Sequence, residues 1–204
     1  MGNTDKFEMI AHIYDTADRI QLAAACADAI REYGICEKGK TAIDFGCGTG
    51  LVGMNLLEDF KSVLFWDTSQ NMIDEIKQKI SSQHLQNADT LCFDIEVADL
   101  SDLHADYIFM SQVLLHIKDF QSVLRKLYEI LNPDGHLIII DFDKNDRIDS
   151  DLVHNGFNQE ELAKNMSEIG YKKIHSKTFY QGSHLFMGQD ATLFILDSQK
   201  ISLP

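Results

Sequence analysis

Ile43-Asp44-Phe45-Gly46-Cys47-Gly48-Thr49-Gly50 is an apolar run that ends on an acid and then turns through three alternating glycines. Glycine at these positions permits a left-handed backbone and lets a ligand approach with no Cβ in the way, as a tight strand-to-helix crossover requires. The carboxylate of Asp44 sets the sign of the ligand charge. A pyrophosphate is welcomed by helix N-terminal amides and repelled by an acid at the loop mouth, whereas a cationic ligand is attracted.

On either side of this stretch the chain alternates between strand and helix patterns. Before it, Ile20, Ala23, Ala24, Ala27 and Ile30 recur at helical spacing, with Gly34 as a stop. After it come a strand 41–45, a helix about 51–59, a strand 62–66, a helix about 70–80 and a strand near 90–93. The pattern continues with a strand Tyr107–Ser111, a helix about 119–131, the turn Asn132-Pro133-Asp134-Gly135 and a very apolar strand His136–Phe142. Such βα alternation with apolar strands implies a parallel sheet covered on both faces. A polar segment 144–149, a helix about 158–169 and two strands, about 171–180 and 191–197, close the chain. The expected fold is α/β: a Rossmann-like, doubly wound, seven-stranded sheet, mostly parallel, with a C-terminal antiparallel hairpin and a helical N-terminal lead. One domain over 1–204 is expected, with 1–38 a helical lid, 41–143 the cofactor-binding half and 144–204 the acceptor-side loop, helix and hairpin. Right-handed crossovers bring the strand C-terminal ends to one sheet edge, where a site forms.

Composition agrees with this size and class. The chain has 204 residues, 45% of them hydrophobic and 25% charged, and only two prolines, which suits one globular domain with a real core. Eighteen basic against thirty-two acidic side chains give a net charge of −14, which opposes polyphosphate backbones, so nucleic acid is not the expected partner. Cys26, Cys36, Cys47 and Cys92 are scattered without a C-x-x-C pair, so neither a metal site nor a disulfide framework is expected. Residues 1–6 show no apolar signal region, and Lys6 stands where a myristoylation pattern needs Ser or Thr. No apolar stretch suits membrane insertion, and the expected compartment is the cytoplasm. Nothing in the sequence indicates or excludes a homo-oligomer.

Two textual motifs compete for the loop. Gly34 to Thr41 spells a phosphate-binding G-x-x-x-x-G-K-T, but a helix precedes it and a strand follows, the reverse of what that motif requires. Gly48-Thr49-Gly50-Leu51-Val52-Gly53 spells G-x-G-x-x-G, with Asp67 seventeen residues after Gly50 as a ribose ligand. That spacing alone does not separate NAD from other adenosine cofactors; Asp44 and Gly46 upstream favour a cationic one. A Tyr-x-x-x-Lys pair, the usual partner of one dehydrogenase class, is absent from the sequence.

With these motifs in place, the chain resembles the class I S-adenosylmethionine-dependent methyltransferases. Residues 43–50 look like the family's first motif, and Phe65-Trp66-Asp67-Thr68-Ser69-Gln70-Asn71-Met72 looks like its second. Cys92-Phe93-Asp94-Ile95, the segment 105–113 and Leu131–Leu137 are similar to its third strand, fourth strand with loop, and fifth-strand turn. The Tyr14-Asp15 pair resembles the branch that acts on small molecules, as in ubiquinone and menaquinone biosynthesis. S-adenosylmethionine, with a sulfonium, an ammonium and no phosphate, fits the charge argument for Asp44. The resemblance implies that Gly46, Cys47, Gly48 and Gly50 bed the methionine moiety, with Asp44 as its electrostatic anchor. Asp67, beside Thr68, takes the ribose hydroxyls. It further implies Asp94 on the adenine amino group, Met72 and Ile95 around the ring, Ser111 beside the cofactor, and Tyr14 and Arg19 in the lid. Among eight histidines, His116 after the fourth strand and His154 in the loop after the fifth are candidate bases for an acceptor that must lose a proton. The function expected is methyl transfer to a small-molecule acceptor that the sequence does not identify. The alternatives are an NAD-dependent oxidoreductase and a non-catalytic adenosylmethionine-binding subunit.

Overall fold

The computed structural model describes residues 4–33, 37–96, 100 and 102–202. The expected helix stop Gly34 and the thiol Cys36 lie outside the described residues. Seven strands form one sheet: β1 (Thr41–Phe45), β2 (Ser62–Asp67), β3 (Ala88–Cys92), β4 (Ala105–Ser111), β5 (Leu131–Phe142), β6 (Lys172–Phe186) and β7 (Gln189–Gln199). Their order is β3-β2-β1-β4-β5-β7-β6. The first five pair in parallel, and β7 lies antiparallel between β5 and β6. The order reverses between β1 and β4, so a crevice opens beyond the carboxyl ends of those two strands.

Among the described residues six α-helices link and cover the strands: α1 (Thr4–Ile10), α2 (Ala17–Glu32), α3 (Leu51–Leu56), α4 (Gln70–Gln83), α5 (Phe120–Ile130) and α6 (Gln159–Ile169). Four have side-chain caps that the local sequence supplies. Thr16, Ser69, Asp119 and Asn158 accept from Arg19, Met72, Ser122 and Glu161 backbone N–H groups respectively, satisfying donors that a helix start leaves unpaired. The core runs along the central strands: Ile43, Val63, Phe65, Ile108, Phe109 and Leu137–Ile140 are buried on both faces of the sheet. Each fully buried aliphatic side chain contributes about 1.5–3 kcal/mol. Trp66, also in this core, donates its indole N–H to the Phe93 carbonyl at 2.9 Å, tying β2 to the end of β3.

Three boundaries differ from the sequence expectation. The helical lead is broken: α1 runs into a 3-10 turn Ala11–Ile13, and Thr16 then starts α2 afresh. The segment 132–135 is an irregularity inside β5 instead of a turn ahead of it. Leu131 already pairs with Ala105, and the register shifts before Tyr107 pairs with His136. The chain bends there as expected, with Asp134 at φ 62° and a Cβ on Gly135 coming within 2.8 Å of the Asp106 carbonyl oxygen. The closing strands are also longer than expected, meeting in a two-residue turn at Met187-Gly188 where both φ values are positive, as a tight hairpin needs.

Asp141 on β5 has no surface exposure, and burial pushes its carboxyl up to about 7 against backbone hydrogen bonds that favour the ion. It accepts from Phe142 N at 2.8 Å and from Leu115 N at 3.1 Å, and so fixes the 3-10 turn Leu114–His116 that follows β4. A carboxyl held above its ordinary value of about 3.9 binds its proton more tightly when folded. Its stabilising contribution is therefore complete below the unfolded value and is lost as pH rises through about 7. Urea denaturation should show greater stability at about pH 5 than at about pH 8, and Asp141→Asn should narrow that gap. An undiminished gap in the variant would remove Asp141 as its source.

Candidate active site

The turn after β1 is built from backbone that only glycine takes without strain. Gly46, Gly48 and Gly50 have φ of 67°, 54° and 79°. A Cβ on Gly46 would come within 2.6 Å of Val113, so the two loops after β1 and β4 meet there without space for a side chain. Gly46 N and Cys47 N both donate to the Trp66 carbonyl, at 2.7 and 3.1 Å. Asp44, buried at the end of β1, accepts from Gly53 N in α3 at 3.0 Å. Burial, with Asp67 adding to it, pushes the Asp44 carboxyl up to about 7.

At the end of β2, Asp67 accepts from Gly48 N at 2.8 Å through one carboxylate oxygen and from Ser69 N at 2.9 Å through the other. Burial raises its pKa, and these amides pull the other way. An ionised carboxylate has about four acceptor positions, so each oxygen retains capacity for a hydroxyl. Burial also raises the Tyr14 phenol and the Cys47 thiol above their ordinary ranges.

The helical lead is clamped over this edge at two points. Glu8 accepts from Gln70 N at 2.7 Å and Asn71 N at 3.2 Å, at the start of α4. Asp15 accepts from the Thr49 hydroxyl and from Lys79 Nζ, the latter at 2.7 Å, while the same ammonium donates to Thr49 O at 2.7 Å. Between the clamps, Arg19 lies 4.1 Å from the Tyr14 ring centroid and donates to Tyr14 O at 2.9 Å.

The enclosed space is a cavity of about 860 Å³. Twelve of the fifteen expected site residues line it: Tyr14, Arg19, Asp44, Gly46, Cys47, Gly48, Asp67, Thr68, Met72, Ile95, Ser111 and His116. Three do not. Gly50 is the left-handed residue that opens α3, where a Cβ would press on Phe65 and Ile76 at 3.1–3.2 Å. Asp94 closes its own turn by accepting from Glu96 N. His154 was expected in a polar, open loop, yet its ring packs against Phe120 and Phe157, its Nε2 donates to the Ile117 carbonyl at 2.9 Å, and its backbone N–H donates to Leu115 O. It braces the turn that carries His116. His116 lines the cavity with its ring edge-on to Phe7 at 5.3 Å.

The sequence did not single out Lys79, Glu8, Gln112 or the hairpin residues Tyr180 and Gly182–Met187, which complete the cavity and its clamps. No local motif marks them, because they arrive from other elements. Among the described residues no group of three or more His, Cys, Asp or Glu is placed to hold a metal, and no helix is long and apolar enough to cross a membrane.

Residues 43–137, from β1 into β5, match the family described as Methyltransferase domain. Over that segment the chain is similar to methyltransferase domains. Of its relatives, an uncharacterised methyltransferase of Schizosaccharomyces pombe is 29% identical over 135 residues, 63% of this chain and 46% of that protein. The ubiquinone biosynthesis O-methyltransferase of Coxiella burnetii is 31% identical over 114 residues, 56% of this chain and 48% of that protein. The chain thus spans about half the length of these curated relatives. Among solved structures, a phosphoethanolamine N-methyltransferase of Haemonchus contortus, in complex with phosphomonomethylethanolamine and S-adenosylhomocysteine, superposes with a TM-score of 0.71 at 14% identity. That match covers 85% of this chain and 51% of that one. The sheet differs from the all-parallel nicotinamide-binding sheet in that β7 runs antiparallel inside it.

The clamp at Asp15 joins two partly exposed side chains, so it contributes about 0.5–1 kcal/mol. Lys79→Met should leave the sheet intact and speed limited proteolysis within residues 4–16 several-fold, read by mass spectrometry. Unchanged cleavage would show that Glu8 alone holds the lead.

Proposed function

We propose that this protein transfers a methyl group from S-adenosylmethionine to a small-molecule acceptor. The observation that carries the reading is Asp67, half-buried at the end of β2, with both oxygens already oriented by loop amides and each able to accept from a ribose hydroxyl. Gly46 and Gly48 offer a backbone bed for the methionine moiety, with Asp44 as the carboxylate facing its cationic groups. Met72 and Ile95 flank the adenine, with Thr68 and Ser111 beside the cofactor, and Tyr14 and Arg19 form the lid. Charge supports a cationic donor: among the described residues the cavity is lined by Asp18, Asp44 and Asp67, and its only lysine or arginine is Arg19, which already bonds to Tyr14. The relatives named for ubiquinone and menaquinone biosynthesis support a small-molecule acceptor.

When bound, the donor supplies a methyl group whose bond to sulfur breaks as the acceptor's lone pair forms the new bond, the sulfur keeping the electron pair. The protein's task is alignment and exclusion of water, for which positioning alone is worth about 7–11 kcal/mol. The clamped lead serves the second need. Where the acceptor must lose a proton, His116 is the one of the two expected histidines that lines the cavity.

Adenosylhomocysteine at about a hundred times its Kd should stabilise the protein by roughly 2.7 kcal/mol in thermal denaturation, with NADH giving no shift. Asp67→Ala should abolish most of that gain; an equal shift in the variant would remove Asp67 from the ribose. With an acceptor that must be deprotonated, His116→Ala should lower kcat by about 10²–10⁴ while adenosylhomocysteine affinity holds. His154→Ala should instead lower the melting temperature.

A further inference from the structure

The sheet order divides the cavity wall into two sides. The glycine loop and Asp67 stand at the ends of β1 and β2 with Met72 in α4 beside them, while Phe142 and Phe186 stand across β4 at the ends of β5 and β6, with Tyr180 farther back along β6. Among the described residues this second side presents no lysine or arginine to the cavity. It is mostly apolar, from Leu115 and Ile117 below to the hairpin tip, with His116, Ser183 and His184 as its polar members, and its lip carries Leu152 and Met187, which are 60% and 58% exposed.

Gln112 sits where the two sides meet, immediately after β4. Its φ is 56°, a left-handed conformation that favours glycine and is uncommon for a residue with a long side chain. The local fold needs the bend, because Gln112 N donates to Ile140 O at 2.8 Å, but that bond would form equally with glycine. The half-buried side-chain amide of Gln112, which lines the cavity, has no hydrogen-bond partner among the described residues. A strained backbone that carries an unengaged polar side chain into a cavity points to a ligand.

We propose that the acceptor is an uncharged molecule with an apolar body, seated between the Leu114–His116 turn and the C-terminal hairpin, and that Gln112 orients its nucleophilic group toward the donor. The proposal rests on the methyl-transfer reading and deepens it. A primary amide donates and accepts, so it can hold a hydroxyl or amine by either its lone pair or its proton. An anionic acceptor would leave water for a lobe that, among the described residues, offers it no lysine or arginine, a loss that apolar contact does not offset. The phosphorylated ligand of the Haemonchus contortus enzyme therefore does not suit this cavity.

The test uses four probes that share one apolar body: para-butylphenol, para-butylaniline, para-butylbenzoate and para-butylphenyl phosphate. Each is titrated calorimetrically into the full chain, with and without saturating adenosylhomocysteine. The phenol and aniline should bind at least about tenfold tighter than the two anions. Gln112→Gly should keep or raise the melting temperature, because the left-handed strain is relieved, and keep adenosylhomocysteine affinity, while weakening the phenol about tenfold. Gln112→Asn, which tolerates the same backbone, should recover part of the loss. Equal or tighter binding of an anion, no binding by any probe, or full phenol affinity in Gln112→Gly overturns the proposal. Silence toward adenosylhomocysteine overturns the methyl-transfer reading separately, since the probe ranking on the protein alone is still measured.

Discussion

The chain can pass from β1 into α3 only by folding back on itself over five residues, and that reversal is what brings Asp44, Asp67 and the α4 start to one point. Left-handed backbone at Gly46, Gly48 and Gly50 makes the reversal possible, and the Trp66 carbonyl holds it by taking two amides from the loop. Asp44 then ties the strand to the helix through Gly53, where a Cβ would meet the same carboxylate at 2.6 Å. Loss of water holds the carboxyls of buried Asp44 and half-buried Asp67 above their ordinary pKa, with the charge of Asp67 adding to the cost at Asp44 and that of Glu8 adding to it at Asp67. The site has accepted that electrostatic cost in a place where a cationic ligand relieves it.

Much of this was readable in the amino-acid order because it is local. The strand–glycine–helix turn, the acid at the end of β2 and the alternation of elements all lie within short windows, and twelve expected residues meet in one cavity. What was not readable depends on contacts distant in sequence. His154 was expected as a candidate base in the polar loop after β5, yet Phe120 packs against it from α5 and Phe157 from the same loop. The Asn132–Gly135 bend was recognisable, but not that Leu131 ahead of it already pairs with Ala105. Lys79 and Gln112 carry no pattern at all: the first matters because the lead returns over α4, the second because its backbone is left-handed.

The two sides of the cavity, proposed above as those of donor and acceptor, are made by different kinds of chain. The donor side consists of strand ends and a helix start, rigid because the parallel core beneath them has almost no exposed atoms. The acceptor side consists of a 3-10 turn, an irregular segment and a hairpin tip, held by point contacts such as Asp141 to Leu115 and His154 to Ile117. Such segments tolerate substitution better than the core does. One constant donor bed can thus face a wall that varies.

The outermost strand has a further effect on how the molecule behaves in company. β6 pairs with β7 along most of its length, but its register slips three times, and Lys172, Lys173 and Lys177 stand along it. A sheet margin that kinks repeatedly and carries ammonium groups offers a neighbouring polypeptide no straight run of free amides and carbonyls to zip onto. At the crowded concentrations inside a living cell, that irregular border guards the long hairpin against fibrillar self-stacking.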